Sequence, residues 1–521
     1  MHLPHPHLPH HLHHKKNQYD LILLFAFIKL VIHLLTNWLG GYGYFRDELY
    51  YIACSDHLDM GYVDQPPLSI FLLGVNRYFF GDSLFAIRML PAIVGSVTVF
   101  LTGLMALRLG GGKFAQSVAC TASIVSLINL AADSYYSMNS FDMLFWLWGA
   151  YLIIRLVSTG DWIYWIYLGF DVGFGLLNKI SIAWFAIGFF VALVLTPERR
   201  WLKTAFPYLG GLLAVVLFLP FILWNIDNNF AHYEFMRNAT LVKYKSIVPM
   251  DLIEGQLTLP SPLTLPLWLA GLFFYFYMKE GKKFVALGWI YVTTLIILIA
   301  NWHSKPEYLG PAYGMLFAGG AVAFELLFKG HKLSWINPTY ATILGIGGMA
   351  LAPAVLAVLP VEKYIAYATI LGISPGSSEG KDLDKLPQFY ADRFGWEDKV
   401  ETVAHIYHSL PPEDQERCAI FSDNYGRCSA IDFFGKNYGL PASIGNHNNY
   451  WIWGPRNYTG DVVLILGGEL WDKESKFEHV QVAGEVASNY CMPYENNLKI
   501  YICRGLKVPL KDLWFHLKDY N

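Results

Sequence analysis

The chain has 521 residues, of which 54% are hydrophobic and only 15% are charged. This balance excludes an ordinary soluble enzyme, and a formal net charge of −3 gives no basis for a nucleic-acid partner. We therefore predict a polytopic membrane protein.

The N-terminal residues, MHLPHPHLPHHLHHKK, combine histidine and proline without an apolar run. A secretory signal peptide requires such a run, so we do not predict one here. We predict that residues 1–18 form a disordered His-rich tail, for which an affinity tag and a weak metal-binding segment are both open interpretations. We assign this tail no catalytic role.

Apolar segments recur from residue 19 to residue 360, each near the length of about 20 residues that a bilayer requires. The first is Tyr19–Trp38. The later segments lie near 84–107, 114–132, 141–157, 162–178, 181–196, 204–223, 262–278, 284–300, 308–328 and 335–359. We therefore predict a mainly α-helical membrane domain with about eleven transmembrane helices.

Basic residues between these segments predict the orientation. Lys15 and Lys16 place the N-terminus in the cytoplasm. The loops on that side then hold Arg108 with Lys113, Arg155, ERRWLK (198–203), KEGKK (279–283) and KGHK (329–332). This agrees with the positive-inside rule. An odd number of spans places the residues after about 360 outside the cytoplasm, in a multi-pass protein of the cell (inner) membrane.

The first predicted extracytoplasmic loop, residues 39–83, contains YGYFRDELYYIACSDHLDMGYVDQPPL (42–68). Its carboxylates are Asp47, Glu48, Asp56, Asp59 and Asp64. A membrane protein retains this many acids beside a span when they are solvated or when they are functional, and both interpretations are open. Adjacent Asp47 and Glu48 at a water interface suit general base catalysis.

Other ionisable groups, Asp142, Lys179 and Lys305, lie at the ends of predicted spans on the same outer face. A polar ring at the membrane edge is one explanation. Together with Asp47 and Glu48, however, this group of charges exceeds what solvation usually needs, and it favours a functional site.

The composition changes after Ile373. SPGSSEGKD (374–382) is typical of a linker, which we assign to residues 361–385. The patterns at 461–468 and 499–505 are typical of strands, and residues 396–410 have helical spacing. We predict that residues 386–521 form a soluble, extracytoplasmic α/β domain. It has no GxGxxG or Walker motif, so a nucleotide site is not supported.

Four of the six cysteines, Cys418, Cys428, Cys491 and Cys503, belong to that domain. An extracytoplasmic location permits disulfides. Cys418 with Cys428 and Cys491 with Cys503 are the most economical pairing among the three connectivities, and we expect at least one bond. No CxxC spacing favours a zinc site.

RDELYYIACSDHLDMGYVDQPPLSIFL, from Arg46 onward, resembles the first extracytoplasmic loop of the dolichyl-phosphate-mannose protein mannosyltransferase superfamily. The bacterial branch, glycosyltransferase family 39 and the aminoarabinose transferases, shares the form D-E-x-Y-Y…G-Y-x-x-x-P-P-L. The similarity continues in order through SYYSMNSFDMLFW (134–146), GLLNKISIAWF (175–185), PFILWNIDNNFAHYEF (220–235) and KPEYLGPAYGMLFAGGAVAFE (305–325).

This resemblance implies a C-type glycosyltransferase fold and the inverting transfer of one sugar from a polyprenyl-phosphate carrier. It implies that Asp47 is the catalytic base and Glu48 its companion acid. It also implies that Asp142 matches a second acid of the family, and that Lys305 and Lys179 match the residues that hold the lipid phosphate.

One position departs from the family. Gln65 stands before the prolines of the first loop, where relatives carry Lys or His, so the phosphate charge must be met elsewhere. Tyr308 is a candidate donor to that phosphate or a member of the aromatic belt. Lys305 has the alternative of a snorkelling interface lysine. These residues require no metal or other cofactor, and a divalent metal stays open.

The predicted partners are membrane lipids, a polyprenyl-phosphate-linked sugar donor and an unidentified hydroxyl acceptor on a protein, a lipid or a glycan. The alternative function is a polytopic transporter or flippase of a lipid-linked sugar. Such a protein should contain inverted repeats, and the sequence shows no internal self-similarity.

Overall fold

The computed structural model describes residues 18–243, 247–330, 332–377 and 379–521. Residues 1–17 of the predicted His-rich tail lie outside this part of the chain. The first two thirds of the chain are helical, with these bounds: α1 Asp20–Leu39, α2 Arg46–Ser55, α3 Leu68–Phe80, α4 Leu84–Arg108, α5 Lys113–Val125, α6 Leu127–Ala132, α7 Met138–Thr159, α8 Ile163–Asn178, α9 Ile182–Leu195, α10 Phe206–Asp227, α11 Ala231–Asn238, α12 Pro249–Thr258, α13 Leu265–Tyr277, α14 Val285–Ala300, α15 Tyr313–Phe328, α16 Ile336–Leu351 and α17 Val361–Leu371.

Six of the described helices are long and apolar enough to cross a membrane, or up to eight spans if each of two bent helix pairs counts as one. The six are Asp20–Leu39, Leu84–Arg108, Met138–Thr159, Phe206–Asp227, Lys282–Ala300 and Pro306–Phe328. The predicted count of about eleven is therefore not confirmed. The predicted span 114–132 shows one reason, because extended backbone at Ser126 divides it into α5 and the short α6.

Glycines allow the membrane helices to pack closely. A Cβ on Gly169 of α8 would lie 2.5 Å from the carbonyl oxygen of Gly210 on α10. Gly271 of α13 and Gly320 of α15 approach the backbone of each other's helix in the same way. Small residues at such crossings let the helix backbones come into contact, which larger side chains such as leucine at the same positions would prevent. The helix ends that carry the polar residues are thereby held in place.

The C-terminal part contains a five-stranded sheet with strand order β2-β1-β3-β5-β4. The strands are β1 Cys418–Ser422, β2 Ile444–Gly445, β3 Val462–Leu466, β4 Phe477–Val486 and β5 Leu498–Leu506. The first three are parallel, and β5 is antiparallel to both β3 and β4. The accompanying helices are α18 Gln388–Ala391, α19 Trp396–Ser409, α20 Pro412–Arg417, α21 Tyr425–Phe434, α22 Asn449–Trp453, α23 Leu470–Lys476 and α24 Leu510–Trp514. A mainly α-helical membrane part joined to an α/β domain is the predicted fold class, which is confirmed.

The first loop packs directly against this C-terminal domain. Leu49 of α2 is fully buried in one apolar cluster with Trp396 and Val400 of α19 and with Ile420 of β1. The helix that carries the two adjacent acids therefore contributes a side chain to the core of the domain.

The expected disulfides are wrong, because all six cysteines are free and buried thiols. Cys418 begins the five-residue strand β1. The Cys428 thiol instead donates to the carbonyl of Ser422, 3.5 Å away at the other end of that strand. The two ends of the strand, Cys418 and Ser422, are roughly 13 Å apart at about 3.3 Å per residue. Cys428 lies at the Ser422 end, and a disulfide with Cys418 would require Cα atoms within about 7 Å. Proximity along the chain did not produce proximity in space.

Candidate active site

Helix α2 places the two adjacent acids of the first loop in different environments. It begins at Arg46, after Phe45 in extended backbone with φ −71° and ψ 145°. Acidic residues in the first turn suit the partial positive charge of a helix N-terminus. The side chain of Asp47 is 35% exposed, whereas Glu48 is completely buried.

Four donors surround the Glu48 carboxylate. Arg88 of α4 donates to both oxygens, from Nε at 2.9 Å and from Nη2 at 2.7 Å. The backbone N–H groups of Phe45 and Tyr136 donate at 2.9 and 2.8 Å. Burial raises the pKa of Glu48, but Arg88 and the two N–H donors outweigh burial and leave the pKa below its ordinary value. Glu48 is thus a fixed anion that joins three segments.

Asp47 has a different set of contacts. The hydroxyl of Tyr425 donates to its Oδ1 at 2.9 Å, and Arg46 Nε donates to the same atom at 3.3 Å. Within the described residues, no group donates to Oδ2. A partly exposed carboxylate with one oxygen held and one oxygen open has the arrangement of a general base.

Arg46 connects the first loop to the C-terminal domain. Its guanidinium lies 3.2 Å from Glu379 and 3.7 Å from Asp392, and it donates to the hydroxyl of Tyr494 at 3.0 Å. The Arg46 side chain is only 8% exposed. These bonds to several acids fix the start of α2, and with it Asp47, against the domain.

A second polar cluster joins the ends of three membrane helices. Lys179, directly after α8, donates to the side-chain oxygen of Asn139 at 2.9 Å and lies 3.5 Å from Asp142. Ser181 donates to Asp142 at 2.8 Å. The ammonium of Lys179 also lies 5.4 Å from the ring centroid of Tyr308. The structure therefore brings together the predicted residues Asp142, Lys179 and Tyr308.

Lys305 adjoins this second cluster, and Gln65 belongs to the first loop. Lys305 is half-buried and precedes the 3-10 helix Pro306–Ala312, where its carbonyl accepts from the N–H of Tyr308 at 3.1 Å. Gln65 is buried, its carbonyl accepts from the N–H of Tyr62 at 3.0 Å, and its side-chain Nε2 has no hydrogen-bond partner in the described part of the chain.

The segment that leads into α7 connects the two clusters. The N–H of Tyr136 donates to Glu48, and the N–H of Met138 donates to the hydroxyl oxygen of Tyr51 at 3.3 Å. Asn139, one residue later, holds Lys179. The first-loop acids and the Lys179 cluster therefore lie at the same end of the helix bundle. Both are hydrogen-bonded to the segment 136–139.

Sequence reasoning missed Arg88, Asn139 and Tyr425. Arg88 carried a usable signal, since a charge inside a predicted apolar span at 84–107 is costly unless it has a partner. Tyr425 carried none, because its contact with Asp47 joins residues that are 378 positions apart. In the described residues, no group of three or more His, Cys, Asp or Glu side chains is arranged to hold a metal ion.

Comparison with known proteins gives relatives for most of this architecture. The model of the dolichyl-phosphate-mannose-protein mannosyltransferase family matches residues 64–224, which include Gln65, Asp142 and Lys179. An undecaprenyl phosphate-alpha-4-amino-4-deoxy-L-arabinose arabinosyl transferase of Edwardsiella ictaluri is 25% identical over 58% of this chain and 57% of its own. The lipid A galacturonosyltransferase RgtD of Rhizobium johnstonii is 22% identical over 58% of this chain and 65% of its own. The chain thus spans less than two thirds of either relative.

A solved structure shares the fold. ArnT from Cupriavidus metallidurans, crystallised with undecaprenyl phosphate, superimposes with a TM-score of 0.62. The match covers 92% of this chain and 97% of that one at 11% sequence identity. The expected C-type glycosyltransferase fold is confirmed.

Proposed function

Because the chain belongs to the superfamily of protein mannosyltransferases and aminoarabinose transferases, we propose that it is an inverting glycosyltransferase. It moves one sugar from a polyprenyl-phosphate carrier to an acceptor hydroxyl. The observation that carries this proposal is the contrast between the two acids of α2. Glu48 is buried under four donors, whereas Asp47 is partly exposed with one oxygen open.

Asp47 is the general base in this proposal. Its carboxylate takes the proton of the acceptor hydroxyl while that oxygen forms a bond to the anomeric carbon of the donor sugar. The bond from the anomeric carbon to the phosphate oxygen breaks, and its electron pair leaves with the polyprenyl phosphate. Attack from the face opposite the leaving group inverts the configuration.

Lys179 and Lys305 are proposed to hold the phosphate of the carrier. Positive charge beside the leaving phosphate stabilises the negative charge that develops on it in the transition state. Asp142 and Asn139 fix the position of Lys179, and the ring of Tyr308 limits its movement. Gln65 carries no charge, so in this proposal Lys179 and Lys305 supply the positive charge that faces the phosphate.

The reaction is proposed to take place at the outer face of the cell membrane. The basic loops predict this orientation, with the sheet domain on the same side as Asp47. The relatives guide the choice of substrates, since one is named for aminoarabinose transfer and another for galacturonosyl transfer to lipid A. An undecaprenyl-phosphate-linked sugar is therefore the first donor to test and lipid A the first acceptor.

The test is transfer of radiolabel by the full-length protein in proteoliposomes. Donors are undecaprenyl-phosphate-linked 4-amino-4-deoxy-L-arabinose, galacturonic acid and mannose, and the acceptor is lipid A or a cell-envelope extract. We expect the wild type to transfer from at least one donor. Asp47→Asn should lower kcat by about 10²–10⁴-fold, the usual contribution of a positioned base.

Asp56→Asn is the matched control, since Asp56 lies in the same loop at 40% exposure and pairs with Arg77. It should retain transfer within about a factor of two, as a surface ion pair contributes little. Normal transfer by Asp47→Asn would assign the base elsewhere. Movement of the labelled lipid across the bilayer without transfer would favour the transporter.

A further inference from the structure

The candidate base lies at the junction between the membrane part and the C-terminal domain. On the basis of the proposed function, we infer that Tyr425 of the C-terminal domain is a positioning residue for Asp47. The catalytic centre is then shared between two parts of the chain that are far apart in sequence.

The inference begins with the orientation of the carboxylate. Within the part of the chain that the structure describes, two hydrogen bonds reach Asp47 and both end on Oδ1, from the Tyr425 hydroxyl at 2.9 Å and from Arg46 Nε at 3.3 Å. Two donors on one oxygen fix the rotation of the carboxylate about its last bond. The other oxygen, Oδ2, is left for the acceptor hydroxyl. A base held in its reactive orientation needs less reorganisation before it accepts a proton.

Tyr425 is itself held firmly. Its ring packs on Tyr50 of α2 with centroids 4.6 Å apart and on His447 at 4.9 Å. The guanidinium of Arg46 lies over the same ring at 5.4 Å. Burial raises the pKa of Tyr425 well above its ordinary value, so the phenol stays protonated and remains a donor.

The local backbone explains how Tyr425 reaches α2. Strand β1 ends at Ser422, and Asn424 caps α21 by accepting from the N–H of Gly426 at 2.8 Å. Gly426 is the residue that permits the approach, because a Cβ at this position would lie 2.6 Å from Cγ of Arg46. The first turn of α21 is therefore shaped to accept the start of α2.

Other contacts hold the domain to the loop without touching Asp47. Leu49 is buried in the core of the domain, and Asn449 accepts hydrogen bonds from the Tyr50 hydroxyl and from the N–H of Val63. Replacing Tyr425 by phenylalanine removes one hydroxyl and retains these contacts and the ring packing. Tyr425→Phe therefore separates the positioning of Asp47 from the attachment of the domain.

The experiment is a double-mutant cycle on transfer by the full-length protein. Tyr425→Phe should lower kcat by about 10- to 100-fold, the range expected for a hydrogen bond to a charged group, with the donor KM unchanged. In the Asp47→Asn background the same change should have little further effect, since the residue acts through Asp47. A site-specific para-aminophenylalanine at position 425, which restores a donor, should recover most of kcat.

Tyr450→Phe is the matched control. Tyr450 is buried in the same domain and its hydroxyl donates to Asp432 at 2.9 Å, with no hydrogen bond to Asp47. It should lower the melting temperature and leave kcat within about twofold. Equal losses from Tyr425→Phe with and without Asp47, or failure of the para-amino side chain to restore kcat, would overturn the positioning role. A wild type inactive with every donor would overturn the proposed function instead.

Discussion

Lys179 is held by its neighbours and is also proposed to bind the phosphate of the carrier. Asn139 and Asp142 hold its ammonium, while the side chain stays 17% exposed. Lys179→Met should raise the donor KM by about tenfold or more, because the phosphate loses a charged partner and meets the carboxylate of Asp142 uncompensated. Initial rates of transfer over a range of donor concentrations measure this.

Two variants define what the lysine contributes. Lys179→Arg retains the charge with a different shape and should restore KM in part. Lys436→Met, which removes an exposed lysine of the C-terminal domain (64% exposed), should leave the donor KM unchanged. If Lys179→Met left the donor KM as in the wild type, Lys179 would be a structural partner of Asp142 and the phosphate would depend on Lys305.

At the scale of elements, α2 depends on α4 through the Glu48–Arg88 pair. Both side chains are at most 4% exposed. Breaking a buried pair leaves one charge without compensation and costs about 3–5 kcal/mol. We therefore expect Arg88→Met to lower the unfolding temperature in detergent strongly. Glu48→Leu combined with Arg88→Leu should recover part of that loss, because neither charge remains.

The Arg77–Asp56 pair is the reference for this prediction. It joins α3 to the C-terminal end of α2 at 2.7 Å, with Asp56 40% exposed, and pairs at the surface contribute about 0–1 kcal/mol. Asp56→Leu should therefore have a small effect on unfolding. Similar unfolding temperatures for Arg88→Met and Asp56→Leu would contradict the role of the buried pair.

Local sequence patterns explain which parts of the fold and of the candidate site could be predicted. The strands at 461–468 and 499–505 form β3 and β5, because short apolar runs bounded by glycine specify a buried strand locally. The neighbouring acids Asp47 and Glu48 were likewise visible in the sequence. Their different environments were not, since three of the four donors to Glu48 come from Arg88 of α4 and from Tyr136. Contacts of this kind depend on tertiary packing and leave no local pattern.

At the scale of the whole molecule, the basic loops predict that the sheet domain lies outside the cytoplasm. Native thiols cannot report it, since all six cysteines are buried. Glu416→Cys provides an exposed thiol in the domain, and Lys279→Cys provides one in a predicted cytoplasmic loop. A membrane-impermeant maleimide should label Glu416→Cys in intact cells, and Lys279→Cys only after the inner membrane is opened.

The wild-type chain controls for background labelling in that experiment. Labelling in the reverse order would invert the topology and place Asp47 in the cytoplasm. The helix bundle and the sheet domain would be unaffected, because their folds rest on apolar periodicity. The orientation of the chain in the membrane is predicted from the charge of the loops alone. This charge acts during insertion and does not determine how the helices pack.

The contact between Asp47 and Tyr425 can form only late in the synthesis of the chain. The two residues are 378 positions apart. Translation proceeds at about 5–20 residues per second, so Tyr425 is synthesised about 20–75 s after Asp47. During that time Asp47 lacks the hydrogen bond from Tyr425, one of the two that the described residues give it. If Asp47 is the base, as we propose, transfer is expected to begin only when the sheet domain has folded.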